Sequence, residues 1–161
     1  MTLIKSISGI RGTIGGAAGD NLTPLDAVKF AAGYGAWLKE RNNHCTVVIG
    51  RDARPSGQMI ENLVISTLQG LGIDVINTGL STTQTVEMLV PRFKASGGII
   101  LTASHNPKEW NALKLLNEEG VSDSVNVTFS PLPNDSITIS GSTTFCNGDS
   151  VILQALETNA S

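Results

Sequence analysis

The sequence contains few cysteines and few aromatic residues, and both shortages restrict what it can be. Only 4% of its 161 residues are aromatic, and its two cysteines, Cys45 and Cys146, stand far apart without a CxxC pair or a Cys/His cluster. This spacing excludes a disulfide framework and a zinc cluster. We interpret both cysteines as structural thiols of a protein from a reducing compartment.

Basic charge and long apolar runs are also lacking. Eleven Lys and Arg residues face fourteen Asp and Glu residues, so the net charge is −3, and no basic surface for nucleic acid is expected. No run of 18 apolar residues could span a membrane, and the apolar part of residues 1–5 is too short for a secretory signal. We therefore expect a cytoplasmic protein with no nucleic-acid or membrane partner.

Apolar runs of strand length alternate with helical patterns over residues 1–120. The runs are uniformly apolar instead of alternating, which is typical of strands buried on both faces of a sheet. Strands separated by helices favour parallel pairing through right-handed crossovers. The pattern predicts an α/β fold, a three-layer α/β/α sandwich with a mostly parallel, mixed sheet. The predicted strands are 45–50, 74–78 and 98–102.

Three helices are predicted between these strands. The first begins at Thr23, where a threonine cap precedes a proline and an acidic residue of the first turn. The second runs from Ser56 to Gly70 or Gly72. The third covers about 85–90 and is expected to end before Pro91, which cannot continue a helix.

The composition changes after about residue 120. Residues 121–161 contain no lysine or arginine and one glutamate, with many Ser, Thr and Asn residues. The segments 137–139 and 151–153 are typical of short strands, so this tail is predicted to be β-rich or disordered. Two origins remain open: foreign or out-of-frame sequence after a truncated gene, and a divergent β-hairpin that covers a sheet edge.

A serine stands where the predicted strand 98–102 must end. Pro107 cannot continue that strand, so the chain turns at Ser104, His105 and Asn106. Reactive groups of α/β folds lie on such turns at the carboxyl ends of strands. Ser104 is therefore placed as a nucleophile would be, although a serine here could also simply bond to the loop backbone.

Three motifs, in order, give this placement a chemical meaning. The segment 102–107, Thr-Ala-Ser-His-Asn-Pro, resembles the phosphoserine loop of the α-D-phosphohexomutases, the superfamily of phosphoglucomutase, phosphomannomutase and phosphoglucosamine mutase. The segments 8–13 and 50–57 are similar to the amino-terminal glycine-arginine segment and to the first strand-to-helix turn of that family. The resemblance covers about residues 1–120, the first of four domains, and the opening of the chain is most similar to the phosphoglucosamine mutase branch.

The resemblance implies an intramolecular phosphotransferase that interconverts hexose or hexosamine 6-phosphate and 1-phosphate. Ser104 would be phosphorylated and its phosphate would ligate Mg²⁺, with a hexose 1,6-bisphosphate as activator. Lys114, ten residues further on, would act as an acid/base or stabilise the phosphoryl oxygens, and Arg11 would lie near the phosphoserine. For His105, a role in shaping the loop or contacting phosphate and a hydrogen-bonded structural role both remain open.

Each of these residues also has a plain structural interpretation. Lys114 interrupts the apolar segment 112–116 and could be a solvated lysine on an edge strand, although lysine is rarely buried without a partner. Arg11 could pair with a surface carboxylate. We interpret Arg51, Asp52 and Arg54 as a structural cluster of ion pairs at the strand-to-helix turn.

Several parts of the family pattern have no counterpart in this sequence. The Asp-rich metal loop and the sugar-selecting segments of the other three domains are missing, so Ser104 supplies one Mg²⁺ ligand at best. We therefore expect the chain to be a truncated domain that is inactive alone. The alternative is a non-catalytic folded fragment that self-associates or binds a partner through an exposed surface.

Overall fold

A computed structural model describes residues 1–122 and the two segments 136–140 and 152–156. The chain divides into two compact units, Met1–Val127 and Thr128–Ser161. The elements of the first unit are β1 (Ile4–Ser6), β2 (Gly9–Thr13), α1 (Pro24–Lys39), β3 (Thr46–Arg51), α2 (Gly57–Gly70), β4 (Asp74–Leu80), α3 (Thr83–Arg92), β5 (Gly97–Leu101) and β6 (Trp110–Leu116).

Six strands form one mixed sheet in the order β1-β2-β6-β5-β3-β4. β3 runs parallel to both β4 and β5, whereas β1, β2, β6 and β5 pair antiparallel in succession. The predicted crossover strands are therefore the parallel half of the sheet. The antiparallel half is larger than the sequence suggested, because β1 and β2 form a hairpin whose second strand pairs with β6.

Helices cover both faces of this sheet, which confirms the three-layer α/β/α architecture. Along β3, Val47 and Ile49 belong to a buried cluster with residues of α1 and α2, whereas Val48 belongs to a second cluster with Val86 and Val90 of α3. Successive residues of a strand point to opposite faces. A strand with helices on both sides must therefore be apolar at every position, and the uniform apolar runs have this cause.

Helix α1 begins as predicted. The side chain of Thr23 accepts a hydrogen bond from the Asp26 N–H, and the Asp26 carboxylate accepts from the Thr23 N–H, which completes a capping box ahead of Pro24. Burial alone would raise the pKa of Asp26, but hydrogen bonds from Thr23 and Gly19, with the Lys29 charge, more than offset it, and the pKa is lowered.

The prediction for the third helix was wrong at its end. Helix α3 continues through Pro91 to Arg92. Proline removes the hydrogen bond to the carbonyl four residues earlier, here that of Glu87. Gly120 lies so close to this carbonyl that a Cβ atom would not fit. A proline in the last turn therefore leaves α3 intact, and the freed carbonyl faces a residue without a side chain.

Strand β4 is less buried than its sequence predicted. It is an edge strand, paired with β3 alone, and Asp74, Asn77 and Leu80 are exposed. Val75 and Ile76 pack against the buried clusters on opposite faces of the sheet but are only half-buried. The strand is therefore covered on both faces, and the prediction was wrong only in expecting it to be fully buried.

The second unit contains two strands, β7 (Ser136–Ser140) and β8 (Ile152–Leu156), which pair antiparallel from Ser136 opposite Leu156 to Ser140 opposite Ile152. The predicted strand 137–139 lies within β7, and the predicted strand 151–153 overlaps the start of β8. Cys146 lies outside the described residues. No helix within those residues is both long and apolar enough for a membrane span.

Candidate active site

The loops that follow β3 and β5 meet at the carboxyl-terminal ends of these strands, because the two strands are parallel neighbours. Arg51, the last residue of β3, lies opposite Leu101, the last residue of β5. The Asp52 N–H donates to the Leu101 carbonyl at 3.0 Å. The loop after β3, with the segment Asp52–Arg54, therefore lies beside the loop after β5, which carries Ser104.

Ser104 occupies a strained turn directly after β5. Its φ is 50°, in the left-handed region, and apart from Lys94 it is the only residue other than glycine with positive φ in the described part of the chain. This region is unfavourable for a residue with a Cβ atom, and such strain is concentrated at functional sites. The exposed Ser104 side chain has no hydrogen bond to the described loop backbone, in contrast to the plain structural interpretation.

The Ser104 side chain opens into a cleft of about 400 Å³. All four predicted site residues line this cleft, and its walls include no carboxylate. Two cationic side chains and a histidine thus line the same cleft as the serine hydroxyl, which makes the cleft suited to an anion. The lining residues are Ser8, Arg11, Thr102, Ala103, Ser104, His105, Asn106, Ala112 and Lys114.

Lys114 is the cation nearest to the hydroxyl. Its Nζ lies 3.4 Å from Ser104 Oγ, and its strand β6 lies between β2 and β5. The interpretation as a lysine of an edge strand was therefore wrong. An interior strand holds the half-buried stem of Lys114 while the ammonium reaches the cleft at the strand's amino-terminal side.

Arg11 approaches the cleft from the next strand. It lies on β2 opposite Ala112 of β6. Its Nε is buried and has no hydrogen-bond partner, and no carboxylate of the described residues forms a salt bridge with it. A buried guanidinium N–H without an acceptor is unfavourable, and among the described residues Arg11 is not a turn arginine paired with a surface carboxylate.

Gly9 allows β2 to come this close to Lys114. Its φ is +116°, and a Cβ atom there would lie 2.8 Å from the Leu113 carbonyl oxygen and 3.0 Å from Lys114 Cγ. Only a residue without a side chain fits this conformation and this distance. Gly9, two residues before Arg11, therefore permits the close contact between β2 and β6, the strands that carry the two cations.

His105 lies next to Ser104 and is exposed at the cleft. Its ring has no hydrogen bond with any residue that the structure describes. The interpretation as a hydrogen-bonded structural histidine therefore has no support from these contacts, and contact with a bound anion stays a prediction.

The cluster of Arg51, Asp52 and Arg54 contains the ion pairs that the sequence suggested. Arg51 Nε lies 3.1 Å from the buried Glu61, and Arg54 Nε lies 3.1 Å from Asp52. The contacts of Arg54 with the Ser104 loop were not predicted. The predicted parallel pairing indicates that the carboxyl-terminal loops lie at the same end of the sheet, but it does not indicate which strands are neighbours.

The described residues do not form a complete metal site. No group of three or more His, Cys, Asp or Glu residues among them could hold a metal ion, and the cleft presents cations where Mg²⁺ needs oxygen ligands. The donor set of this part of the chain therefore does not fit Mg²⁺ by itself.

The fold and the cleft together define an α/β/α domain that exposes a serine hydroxyl among cations. The model of the family "Phosphoglucomutase/phosphomannomutase, alpha/beta/alpha domain I" matches residues 3–130. The chain therefore belongs to the phosphoglucomutase/phosphomannomutase family, as the three motifs suggested.

Individual relatives agree with this assignment. A phosphoglucomutase/phosphomannomutase of Thermococcus kodakarensis is 42% identical over 113 residues, which cover 68% of this chain and 25% of the relative. A phosphoglucosamine mutase of Helicobacter pylori is 36% identical over 105 residues, 65% of this chain and 24% of the relative. A crystal structure from Thermus thermophilus, described as a phosphomannomutase, superposes with a TM-score of 0.63 at 30% identity, over 74% of this chain and 26% of that one. The chain thus spans about a quarter of the length of these relatives.

Proposed function

We propose that this chain is the phosphoserine domain of a phosphohexomutase, which interconverts the 6-phosphate and 1-phosphate of a hexose or hexosamine. One observation carries the proposal: the Ser104 hydroxyl lies 3.4 Å from the Lys114 ammonium in a carboxylate-free cleft that Arg11 also lines. Catalysis of phosphoryl transfer consists mainly of positioning and of stabilising the charge on the phosphoryl oxygens. A hydroxyl beside the Lys114 ammonium, in a cleft that a second cation lines, supplies both.

The residues have distinct roles in this proposal. In the forward step the bond between phosphorus and Ser104 Oγ breaks, a bond from phosphorus to a sugar hydroxyl oxygen forms, and that hydroxyl loses its proton. The Lys114 ammonium would give a proton to the departing Ser104 Oγ, and the resulting Lys114 amine would take up the proton released by the sugar hydroxyl. Arg11 would hold phosphoryl oxygens through its unpaired Nε–H, and His105 would contact them from the exposed side.

The finer points are also proposals. The similarity of residues 1–13 supports a hexosamine phosphate as substrate, and relatives of both kinds carry the matching domain. Mg²⁺ would take one ligand from a phosphorylated Ser104 and the rest from outside the described residues. Glucose or hexosamine 1,6-bisphosphate would phosphorylate Ser104.

We further propose that the 161-residue chain accepts a phosphoryl group but does not turn over alone. Its described residues supply the acceptor hydroxyl and two cations, but they supply neither a complete set of metal ligands nor residues that would enclose the sugar from the other side. The alternative, a non-catalytic fragment that associates through its surface, is favoured by exposed apolar side chains such as Met88 and Phe93, which are 72% and 49% exposed.

Phosphoryl transfer to the chain tests the proposal. The chain is incubated with glucose 1,6-bisphosphate and Mg²⁺, and phosphopeptides are mapped by mass spectrometry, with Ser104→Ala as the control. We expect one phosphate on Ser104 and none in the variant. An unmodified Ser104 under conditions that phosphorylate a full-length relative would contradict the proposed function, and turnover in a coupled assay with glucosamine 6-phosphate would contradict the inactivity of the isolated chain.

A further inference from the structure

Arg54 uses every hydrogen-bond donor of its guanidinium, and four of the five bonds go to the Ser104 loop, taken here to include Trp110, where the loop joins β6. Nη2 donates to the carbonyls of Ser104 at 2.9 Å and Asn106 at 2.8 Å, and Nη1 donates to those of Pro107 at 2.6 Å and Trp110 at 2.9 Å. The Arg54 side chain is 11% exposed. A surface ion pair does not need such a set of acceptors, so the loop is the partner for which Arg54 is placed.

The Ser104 N–H is linked through Thr102 to the ion pair of Asp52 and Arg54. The Ser104 N–H donates to Thr102 Oγ1 at 3.2 Å, and the Thr102 hydroxyl donates to Asp52 Oδ2 at 2.7 Å. Arg54 Nε donates to the same Asp52 oxygen at 3.1 Å. Asp52, Thr102, Ser104 and Arg54 thus form a closed hydrogen-bonded ring, which we call the Ser104 ring.

The Ser104 ring fixes both peptide groups that flank Ser104. Thr102 holds the Ser104 N–H and Arg54 holds the Ser104 carbonyl. The residue with a φ of 50° is therefore held by a hydrogen bond on each side. A left-handed residue with a Cβ atom is unfavourable by about 1–2 kcal/mol, so it persists only where its surroundings determine it. Charge-assisted hydrogen bonds of the kind that Arg54 makes are the strong ones.

The ring also determines what the cleft contains. Arg54 does not line the Ser104 cleft; it lines a second one, with Asp52 and Lys108, beyond the same loop. Four carbonyl oxygens of the loop therefore bond to a cation outside the Ser104 cleft. Carbonyl oxygens directed into the cleft would repel an anion. Because Arg54 binds these oxygens outside the cleft, the charged side chains that line the cleft with the hydroxyl are those of Lys114 and Arg11.

We propose that Arg54, through the Ser104 ring, is the positioning residue that presents the Ser104 hydroxyl to the phosphoryl group. This inference rests on the proposed function, because it concerns the same hydroxyl. It assigns to Arg54 no contact with the phosphoryl group, since all five of its donors are already used.

Arg54→Lys tests the proposal in the intact 161-residue chain, with Arg51→Lys as the matched control. Lysine keeps the charge but offers three donors instead of five in a fork. Arg51 lies in the same turn and bonds to Glu61, Gln58 and the Asp52 carbonyl, none of them in the Ser104 loop. The control therefore breaks a comparable ion pair without touching the loop.

Two measurements are made on both variants. The first is amide hydrogen exchange at Ser104, Asn106 and Trp110, and the second is the affinity for inorganic phosphate from amide chemical shifts around the cleft. For Arg54→Lys we expect exchange at these amides to rise and phosphate affinity to fall, each by about tenfold or more, since a lost charge-assisted hydrogen bond corresponds to at least that factor. Arg51→Lys should leave both unchanged.

Each other outcome is decisive. A folded Arg54→Lys with the exchange of the wild type, or with faster exchange but the phosphate affinity of the wild type, would overturn the positioning role. If Arg54→Lys does not fold, Thr102→Val breaks the opposite side of the ring, and unchanged exchange at Ser104 would overturn it. Absence of a phosphate-dependent shift in the wild-type cleft would contradict the proposed function instead, and the exchange comparison would still decide whether the ring holds the loop.

Discussion

Two arginines lie on opposite sides of the Ser104 loop, and they differ in how their donors are used. All five N–H groups of Arg54 have acceptors within the protein, whereas the buried Nε of Arg11 has none. A saturated guanidinium organises the backbone, and an unsaturated one is prepared for a ligand. The comparison shows that charge alone does not distinguish the two arginines; the number of unused donors does.

The largest effect should come from removing Arg54, and removal of Arg11 provides the comparison. Arg54→Ala leaves carbonyls of the loop and the Asp52 carboxylate without their donor, so we expect a loss of about 3 kcal/mol or more in the free energy of unfolding. Arg11→Met removes a group that has no partner for Nε and should change that free energy by less than about 1 kcal/mol. Urea unfolding of the two variants measures the difference, and equal losses would remove the distinction between the two arginines.

Gly9→Ala sharpens the comparison on the Arg11 side. The added Cβ atom would meet the Leu113 carbonyl and the Lys114 stem at a φ of +116°, and we expect a loss of about 2–3 kcal/mol. Gly15→Ala is the control, because Gly15 also has positive φ, +89°, but nothing lies within 4 Å of its Cβ position. Its loss should be about 1 kcal/mol, and equal unfolding midpoints for the two variants would contradict the close approach of β2 and β6.

Ser104→Gly tests the strain that the Ser104 ring maintains. Glycine adopts a φ of 50° without penalty, so this variant should gain about 0.5–1 kcal/mol in stability, measured by thermal unfolding. Lys94→Gly, at a φ of 52° outside the cleft, should gain a similar amount. A loss of stability in Ser104→Gly beside a gain in Lys94→Gly would show that the serine side chain stabilises the turn.

The smallest effect concerns Asp26, a carboxylate far along the chain from the site. Its pKa is below its ordinary value of 3.8 because the capping hydrogen bonds exceed the effect of burial. A carboxylate whose pKa is lower in the folded state stabilises the protein at pH values above its unfolded-state pKa. This contribution is lost as the pH falls below about 4 and through the folded-state pKa. Asp26→Asn should flatten the dependence of stability on pH in that window, and an unchanged slope would contradict the capping role.

The parts of the fold that follow local patterns could be predicted from the sequence. The apolar runs of β3 and β5 indicate burial on both faces, the residues around Thr23 indicate a helix start, and Lys114 stands out in an apolar segment. Strands β1 and β2 gave no such signal, since Gly9–Thr13 has neither apolar alternation nor a continuous apolar run.

The parts that depend on distant pairing could not be predicted. Residues that could carry chemistry were found because they stand in short motifs, but the role of Arg54 depends on a loop fifty positions away in the sequence. That contact exists because β3 and β5 are parallel neighbours in register, and no local pattern encodes the register. The prediction that residues 121–161 form a separate tail of foreign origin, or a native hairpin, stays a prediction.

The placement of the two cations and the hydroxyl on adjacent strands has a mechanical consequence. Arg11 belongs to β2, Lys114 to β6, and Ser104 follows β5, three neighbours joined by backbone hydrogen bonds. Separating the cations from the hydroxyl by a rigid-body motion would require tearing the sheet apart. The arrangement of the two cations and the hydroxyl is therefore set when this sheet forms, before any anion enters the cleft.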